Sequence, residues 1–243
     1  MRTILSGMFG AIALLLFSSQ SVTTVTPNPP DTDFITYTVN PKTQDLRFFW
    51  KDDSNKPLGN FKNLKEWLKS KNQKLVFAMN GGMYLKDQSP QGLYIENGRE
   101  LKKLNSVKAA YGNFYLQPNG IFYVTKENVG VVTQTTKYKG NEGVRYATQS
   151  GPMLVIDGEV HSAFKEGSKN VHIRNGVGIL PNGEILFAMS KEAVNLFDFA
   201  TFFINKGCKN ALYLDGFVSR TYLPEKGWEQ LDGNFGAMIG VVE

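Results

Sequence analysis

The sequence predicts an α+β fold, a single domain with a mixed, largely antiparallel β-sheet and flanking helices. Three observations carry this. Four Asx-Gly pairs, Asn97-Gly98, Asn119-Gly120, Asp157-Gly158 and Asn182-Gly183, each lie between runs of alternating apolar residues. Such pairs supply the positive φ angles of tight hairpin turns and so argue for antiparallel pairing. Two segments, near residues 61–71 and 196–206, instead space their apolar residues for one face of a helix. Finally, no internal repeat or long linker divides the chain after its first 33 residues, and a 42% hydrophobic content supports one core.

The elements follow in order. Arg2 precedes an almost wholly apolar run, Ile4 to Phe17, and Ser19-Gln20-Ser21 ends it with small residues. This pattern reads as a signal peptide over residues 1–21, too short and wrongly flanked for a stable membrane span. An uncleaved single-helix anchor is the competing reading. Residues 22–33, rich in Thr, Pro and Asn, read as a flexible leader. The expected location is secreted or periplasmic, and the domain is expected to cover residues 34–243.

Ile35, Tyr37 and Val39 alternate with threonines and predict a half-buried strand; Leu46 to Trp50 predicts a second. Asn60 precedes a helix whose stripe is Phe61, Leu64, Trp67 and Leu68, ending near Asn72. Leu75 to Met79 is a continuous apolar run of buried-strand length. The hairpins come next, with Asp157 read as a turn residue rather than a catalytic acid. The second helix has Asn195 as cap, Asp198 at its third position and Leu196, Phe199, Phe202 and Phe203 as its stripe, closed by Lys206-Gly207. The strand Leu212-Tyr213-Leu214 then runs into Asp215.

Composition excludes some functions. Cys208 is the sole cysteine, so no intrachain disulfide forms, and its place after a helix end suits a small buried residue. The net charge of +5 comes from dispersed lysines, with no arginine-rich arm or aromatic-interleaved basic patch, which argues against nucleic acid and fits an anionic substrate. His161 and His172 are the only histidines and lack metal-ligand spacing, which argues against a histidine-built metal site; no cofactor is expected, although Asp215 with backbone oxygens could hold a metal.

Candidate chemistry lies where strands meet glycine-bearing turns. Asp215-Gly216-Phe217-Val218-Ser219-Arg220 offers a carboxylate, a hydroxyl and a guanidinium at one strand end. A capped turn with a structural Asp–Arg pair explains the same residues equally well. Asn80-Gly81-Gly82-Met83-Tyr84 permits a bend with exposed N–H groups, or an Asx turn at Asn80. Ser150-Gly151-Pro152 lacks the nucleophile-elbow pattern and reads as ligand binding or a local turn. Arg174 alternates with apolar neighbours and could reach inward to a phosphate or outward to water.

Taken in order, Asn80-Gly81-Gly82-Met83-Tyr84, Ser150-Gly151-Pro152-Met153-Leu154, Arg174-Asn175-Gly176-Val177-Gly178 and Leu214 to Arg220 resemble the motifs of the phosphodiester glycosidase family. The resemblance spans about Phe34 to Val242. Asn175 stands where the family commonly has Thr, and Phe217 where it commonly has a second Gly, which reshapes that rim. The resemblance implies hydrolysis between a sugar anomeric carbon and a phosphodiester oxygen, with a phosphorylated sugar or glycan as partner. It implies catalytic roles for Asp215, Arg174 and Arg220, the two arginines clamping phosphate. Asn80, Gly82, Ser150, Gly151 and Ser219 would bind substrate. Glu96 and Glu192 are the candidates for a second carboxylate, Glu96 read as a surface residue. A non-catalytic envelope protein binding anionic or phosphorylated glycans is the alternative.

Overall fold

The structure, a computed structural model, describes residues 30–243. The signal segment and most of the leader therefore lie outside the described residues. Strands β1 (Phe34–Val39) and β2 (Asp45–Phe49) precede helix α1 (Phe61–Lys69), which leads into β3 (Leu75–Asn80). A run of hairpins and meanders follows: β4 (Tyr94–Glu96), β5 (Arg99–Lys102), β6 (Gly120–Thr125), β7 (Gly130–Gln134), β8 (Val144–Ser150), β9 (Met153–Ile156) and β10 (Glu159–Val160). Next come β11 (Asn175–Ile179), β12 (Ile185–Ser190), helix α2 (Leu196–Asn205) and β13 (Ala211–Asp215). The chain closes with β14 (Thr221–Leu223), β15 (Trp228–Glu229) and β16 (Met238–Val242).

The strands form three sheets, ordered β1-β12-β11-β13-β9-β10, β15-β14-β3-β16-β2 and β5-β4-β8-β6-β7. Every pairing between these strands is antiparallel. All three sheets feed one core: Phe187 and Leu214 come from the first, Phe77 and Ile239 from the second, Phe122 and Tyr146 from the third. The opposite faces of the first two sheets are covered by the helices. Phe199, Phe202 and Phe203 of α2 pack on Leu154, Ala211 and Tyr213, while Phe61, Leu64 and Leu68 of α1 pack near Ala78 and Met238. Both helices start as the sequence dictates, because Asn60 Oδ1 accepts from Asn63 N–H and Asn195 Oδ1 from Asp198 N–H.

Three of the four expected hairpin turns form. Asn97-Gly98 and Asp157-Gly158 adopt positive φ at both residues, and Gly183 does so between β11 and β12. Asn119-Gly120 does not. Gly120 is the first residue of β6, paired with both Gln134 and Ser150, and the buried Asn119 donates to Phe114 O. A Cβ on Gly120 would lie 2.4 Å from Met153 Sδ, so packing rather than turn geometry requires glycine there. The turn between β6 and β7 instead uses Asn128, at φ 59°. Helix α1 ends at Lys69 with Ser70 as cap, three residues before the expected Asn72.

Cys208 is buried against the α2 core, and burial pushes its thiol up to about 12. Among the described residues, no helix is long and apolar enough to cross a membrane.

Candidate active site at the junction of the three sheets

The strand ends that the sequence singles out meet at one place. β13 alternates, with Leu212 and Leu214 in the central core and Ala211 and Tyr213 toward α2. The register then shifts: Asn175 pairs with Asp215, but the next residue, Gly176, pairs with Tyr213. The extra residue, Leu214, is a bulge. Asp215 lies beside this shift, sharing the cleft face with Tyr213 and meeting Asn80 at the end of β3.

Its surroundings are built from two asparagines. Asn175 Nδ2 donates to Asn80 O (2.9 Å) and Asn80 Oδ1 (3.0 Å), and Arg220 N–H also donates to Asn80 Oδ1 (2.9 Å). With its oxygen accepting twice, the Asn80 amide can present only Nδ2 to Asp215, and that atom lies 3.3 Å from Asp215 Oδ2. Asn175 Oδ1 accepts from Asp215 N–H at 2.8 Å. Asp215 Oδ1 accepts from the N–H groups of Gly216 (2.6 Å) and Phe217 (3.0 Å). The carboxylate is 6% exposed. Desolvation raises its pKa to about 6, against the opposing pull of the backbone N–H groups and Asn80.

Asp215 forms the floor of a cleft of about 670 Å³ whose walls include Tyr84, Lys86, Asn113, His172, Tyr213 and Phe217. It is the one carboxylate among the described residues lining that cleft. Burial, followed by the field of Asp215, pushes the Tyr84 phenol up to about 12, so Tyr84 is a proton-bearing donor at neutral pH. Tyr213 is likewise pushed up to about 12, mainly by desolvation. Its hydroxyl accepts from Arg174 Nη1 at 2.9 Å, which leaves its own O–H to donate. Phe217 stands at the rim, 95% exposed.

The remaining sequence-derived candidates stand behind this floor. Arg174 is fully buried; Nε donates to Val194 O (2.7 Å) and Nη2 to Asn170 O (2.8 Å), besides the bond to Tyr213. Arg220 forks onto Asp232 with two bonds of 3.0 Å. Neither guanidinium lines the cleft, so the two do not form a clamp there. The pair expected within this turn, Asp215 with Arg220, does not form; Arg220 pairs with Asp232, twelve residues on. Ser150 Oγ donates to Leu214 O (2.8 Å) and accepts from Met83 N–H (3.4 Å), tying the third sheet to β13 and to the loop after β3. Ser219 Oγ lies 2.9 Å from Asp215 O and 3.1 Å from Ile173 O. Gly82 and Gly151 are spacing residues: a Cβ on either would meet Gln149 O or Asn119 Cβ at 2.6 Å. Glu96, expected at the surface, is half-buried and accepts from Tyr94 Oη at 2.8 Å, which holds it in the third sheet; Glu192 is exposed. Among the described residues, no group of three His, Cys, Asp or Glu is placed to hold a metal ion.

Sequence reasoning did not single out Tyr84, Tyr213, Lys86 or Asn113, and it treated Asn175 only as a replaced threonine. One signal was available. Asparagine is depleted in strands, so Asn80 and Asn175 at strand ends beside apolar runs mark a buried polar network.

A sequence profile described as phosphodiester glycosidase matches residues 73–238. Uncharacterized protein YigE of Escherichia coli (strain K12) is 34% identical over 220 residues, covering 90% of this chain and 85% of the relative. The zebrafish N-acetylglucosamine-1-phosphodiester alpha-N-acetylglucosaminidase catalytic domain, auto-inhibited by its pro-peptide, superposes with a TM-score of 0.52 at 14% identity, covering 86% of this chain and 88% of that one. A putative exported protein from Burkholderia pseudomallei K96243 superposes equally well at 10% identity, covering 86% and 73%. At these identities the two structures establish a shared fold.

Proposed function

The chain belongs to the phosphodiester glycosidase family, and from that premise we propose that it is an exported hydrolase cleaving a sugar-1-phosphodiester of an envelope or extracellular glycan. One observation carries the proposal. Asp215, a carboxylate with its pKa raised to about 6, forms the floor of a cleft that is otherwise free of acids among the described residues and is walled by the protonated Tyr84 hydroxyl and Lys86.

A carboxylate desolvated in this way is basic enough to take a proton and still ionised at neutral pH. Asp215 activates water for attack on the anomeric carbon, with Oδ2 as the receiving atom because Oδ1 is held by backbone N–H groups. The bond from that carbon to the phosphodiester oxygen breaks, and its electron pair leaves on the phosphomonoester. That leaving group is a stabilised anion, so donors to its oxygens suffice and no second carboxyl is required. Tyr84 and Lys86 supply those donors, while the Tyr213 hydroxyl is packed beneath Gly216. Arg174 acts through Tyr213, holding the hydroxyl in place and adding positive field. Asn80 and Asn175 fix the carboxylate.

Hydrolysis of a hexose 1-(phenyl phosphate) in ¹⁸O-labelled water tests this, with products resolved by mass spectrometry. The label is expected in the sugar. Label in the phosphate, or no turnover, refutes it. Export is tested by N-terminal sequencing of protein recovered from the native compartment, where retained Met1 refutes it. A non-catalytic protein binding phosphorylated glycans is favoured by the absence of a second carboxylate from the cleft lining; it predicts binding of the same ligand without turnover.

A further inference from the structure

A second concavity, of about 390 Å³, adjoins the cleft over Asp215, and Leu85 and Gln91 line both. Its other walls include Lys102, Lys103, Asn105 and Ser106, with no acidic residue among them. Asp87 and Lys102 attract each other, and Asp87 Oδ1 accepts from Ser89 N–H and Oγ, which holds that carboxylate in its own turn. The groove is built rather than incidental. Buried Gln149 Oε1 accepts from both Leu93 N–H (3.0 Å) and Asn105 N–H (2.9 Å), and Gln149 Nε2 donates to Asn105 O (2.9 Å). Asn105 Nδ2 in turn donates to Gln91 O at 3.2 Å. These bonds strap the segment after β5 onto the end of β8. Gly92 is part of the construction, since a Cβ there would lie 2.3 Å from Gln149 Oε1.

We propose that this groove is an anion subsite for the next phosphate of the substrate, so that the substrate is a glycan of repeating phosphodiester-linked sugars rather than a single sugar phosphodiester. The inference rests on the catalytic reading of the Asp215 cleft. The chemistry is that of two lysine ammonium groups beside amide and hydroxyl donors, a set that recognises a phosphate without directional demands. Leu85 and Gln91 border both concavities, so a chain leaving the first passes directly to the second. Lys86 stands in the first and Lys102 and Lys103 in the second, so cationic groups recur along that route.

The test uses fluorescence anisotropy at low and high salt with two labelled synthetic ligands, a tetramer of hexoses joined by 1-phosphodiesters and a single hexose 1-phosphodiester. Lys102→Ala/Lys103→Ala protein is compared with wild type; both lysines lie on an exposed edge strand and its following loop, where truncation leaves the core intact. Wild type is expected to bind the tetramer at least about tenfold tighter, roughly 1.4 kcal/mol. The advantage should vanish in the double variant and shrink with salt, while affinity for the single-phosphate ligand is unchanged. Equal affinity of wild type for both ligands overturns the subsite, as does a tetramer advantage that survives in the variant. Tetramer binding with the expected lysine dependence but without hydrolysis of either ligand keeps the subsite and removes the catalytic reading.

Discussion

Replacing Asp215 by Asn should make the protein more stable at neutral pH and less active, and the structure sets the size of both effects. In the fold the carboxyl pKa is about 6, against an ordinary 3.8. The native state therefore binds the proton more tightly than the unfolded state does. Stability from this group is fully present below about pH 4 and is lost as pH rises through 6, a cost of about 3 kcal/mol at pH 7. Asparagine removes the charge and keeps the volume. Its oxygen can still accept from Gly216 and Phe217 N–H, but its Nδ2 then faces Asn80 Nδ2 at a position 3.3 Å away. Asn80 cannot rotate to relieve this, because its oxygen holds Asn175 and Arg220. That donor–donor contact costs about 1 kcal/mol. The net gain at pH 7 is then about 1–2 kcal/mol, or roughly 3–6 °C in Tm for a domain of this size. At pH 4 the gain should vanish. Urea denaturation of both proteins between pH 4 and 8 measures it, and kcat on the hexose 1-(phenyl phosphate) should fall at least about a hundredfold. A ΔΔG that does not change with pH, or an Asn variant less stable at pH 7, would refute the assignment of a desolvated carboxylate.

Three further outcomes are expected. Asn80→Ala removes the side-chain donor to Asp215, so the acid limb of the kcat/KM profile should move to higher pH; it also leaves Arg220 N–H without its partner, a loss of about 1–3 kcal/mol measurable in urea. Gly216→Ala would set a Cβ 1.4 Å from Tyr213 Oη; expelling that hydroxyl breaks its bond with Arg174, and a loss of about 2–4 kcal/mol is expected by thermal or chemical denaturation. Arg174→Lys keeps a charge but cannot reach Val194 O, Tyr213 Oη and Asn170 O together. It should lower kcat/KM at least about tenfold, and Tyr213→Phe should add little to it, a non-additivity that kinetics of the double variant detects.

The sequence by itself determined what is local. Period-two alternation gave β1 and the buried runs gave β3 and β13, because one residue's direction follows from its neighbour's in extended chain. The asparagine caps and three Asx-Gly turns were legible because their hydrogen bonds close within a few residues. The position of Asp215 at a strand end was legible for the same reason. Tertiary structure decided the rest. The register shift at Leu214, beside the carboxylate, is defined by the partner strand, not by its own residues. The Asn80–Asn175 pair spans 95 residues of chain, beyond any local rule. Arg174 and Arg220 carry long side chains whose ends are set by distant acceptors, so their strand faces did not reveal that one would hold Tyr213 and the other Asp232. Gly120 and Gly216 are glycines for what presses against them, Met153 in one case and a tyrosine hydroxyl in the other. The first approach exists only once the first and third sheets have packed together, and the second only because Arg174 holds the Tyr213 hydroxyl in place.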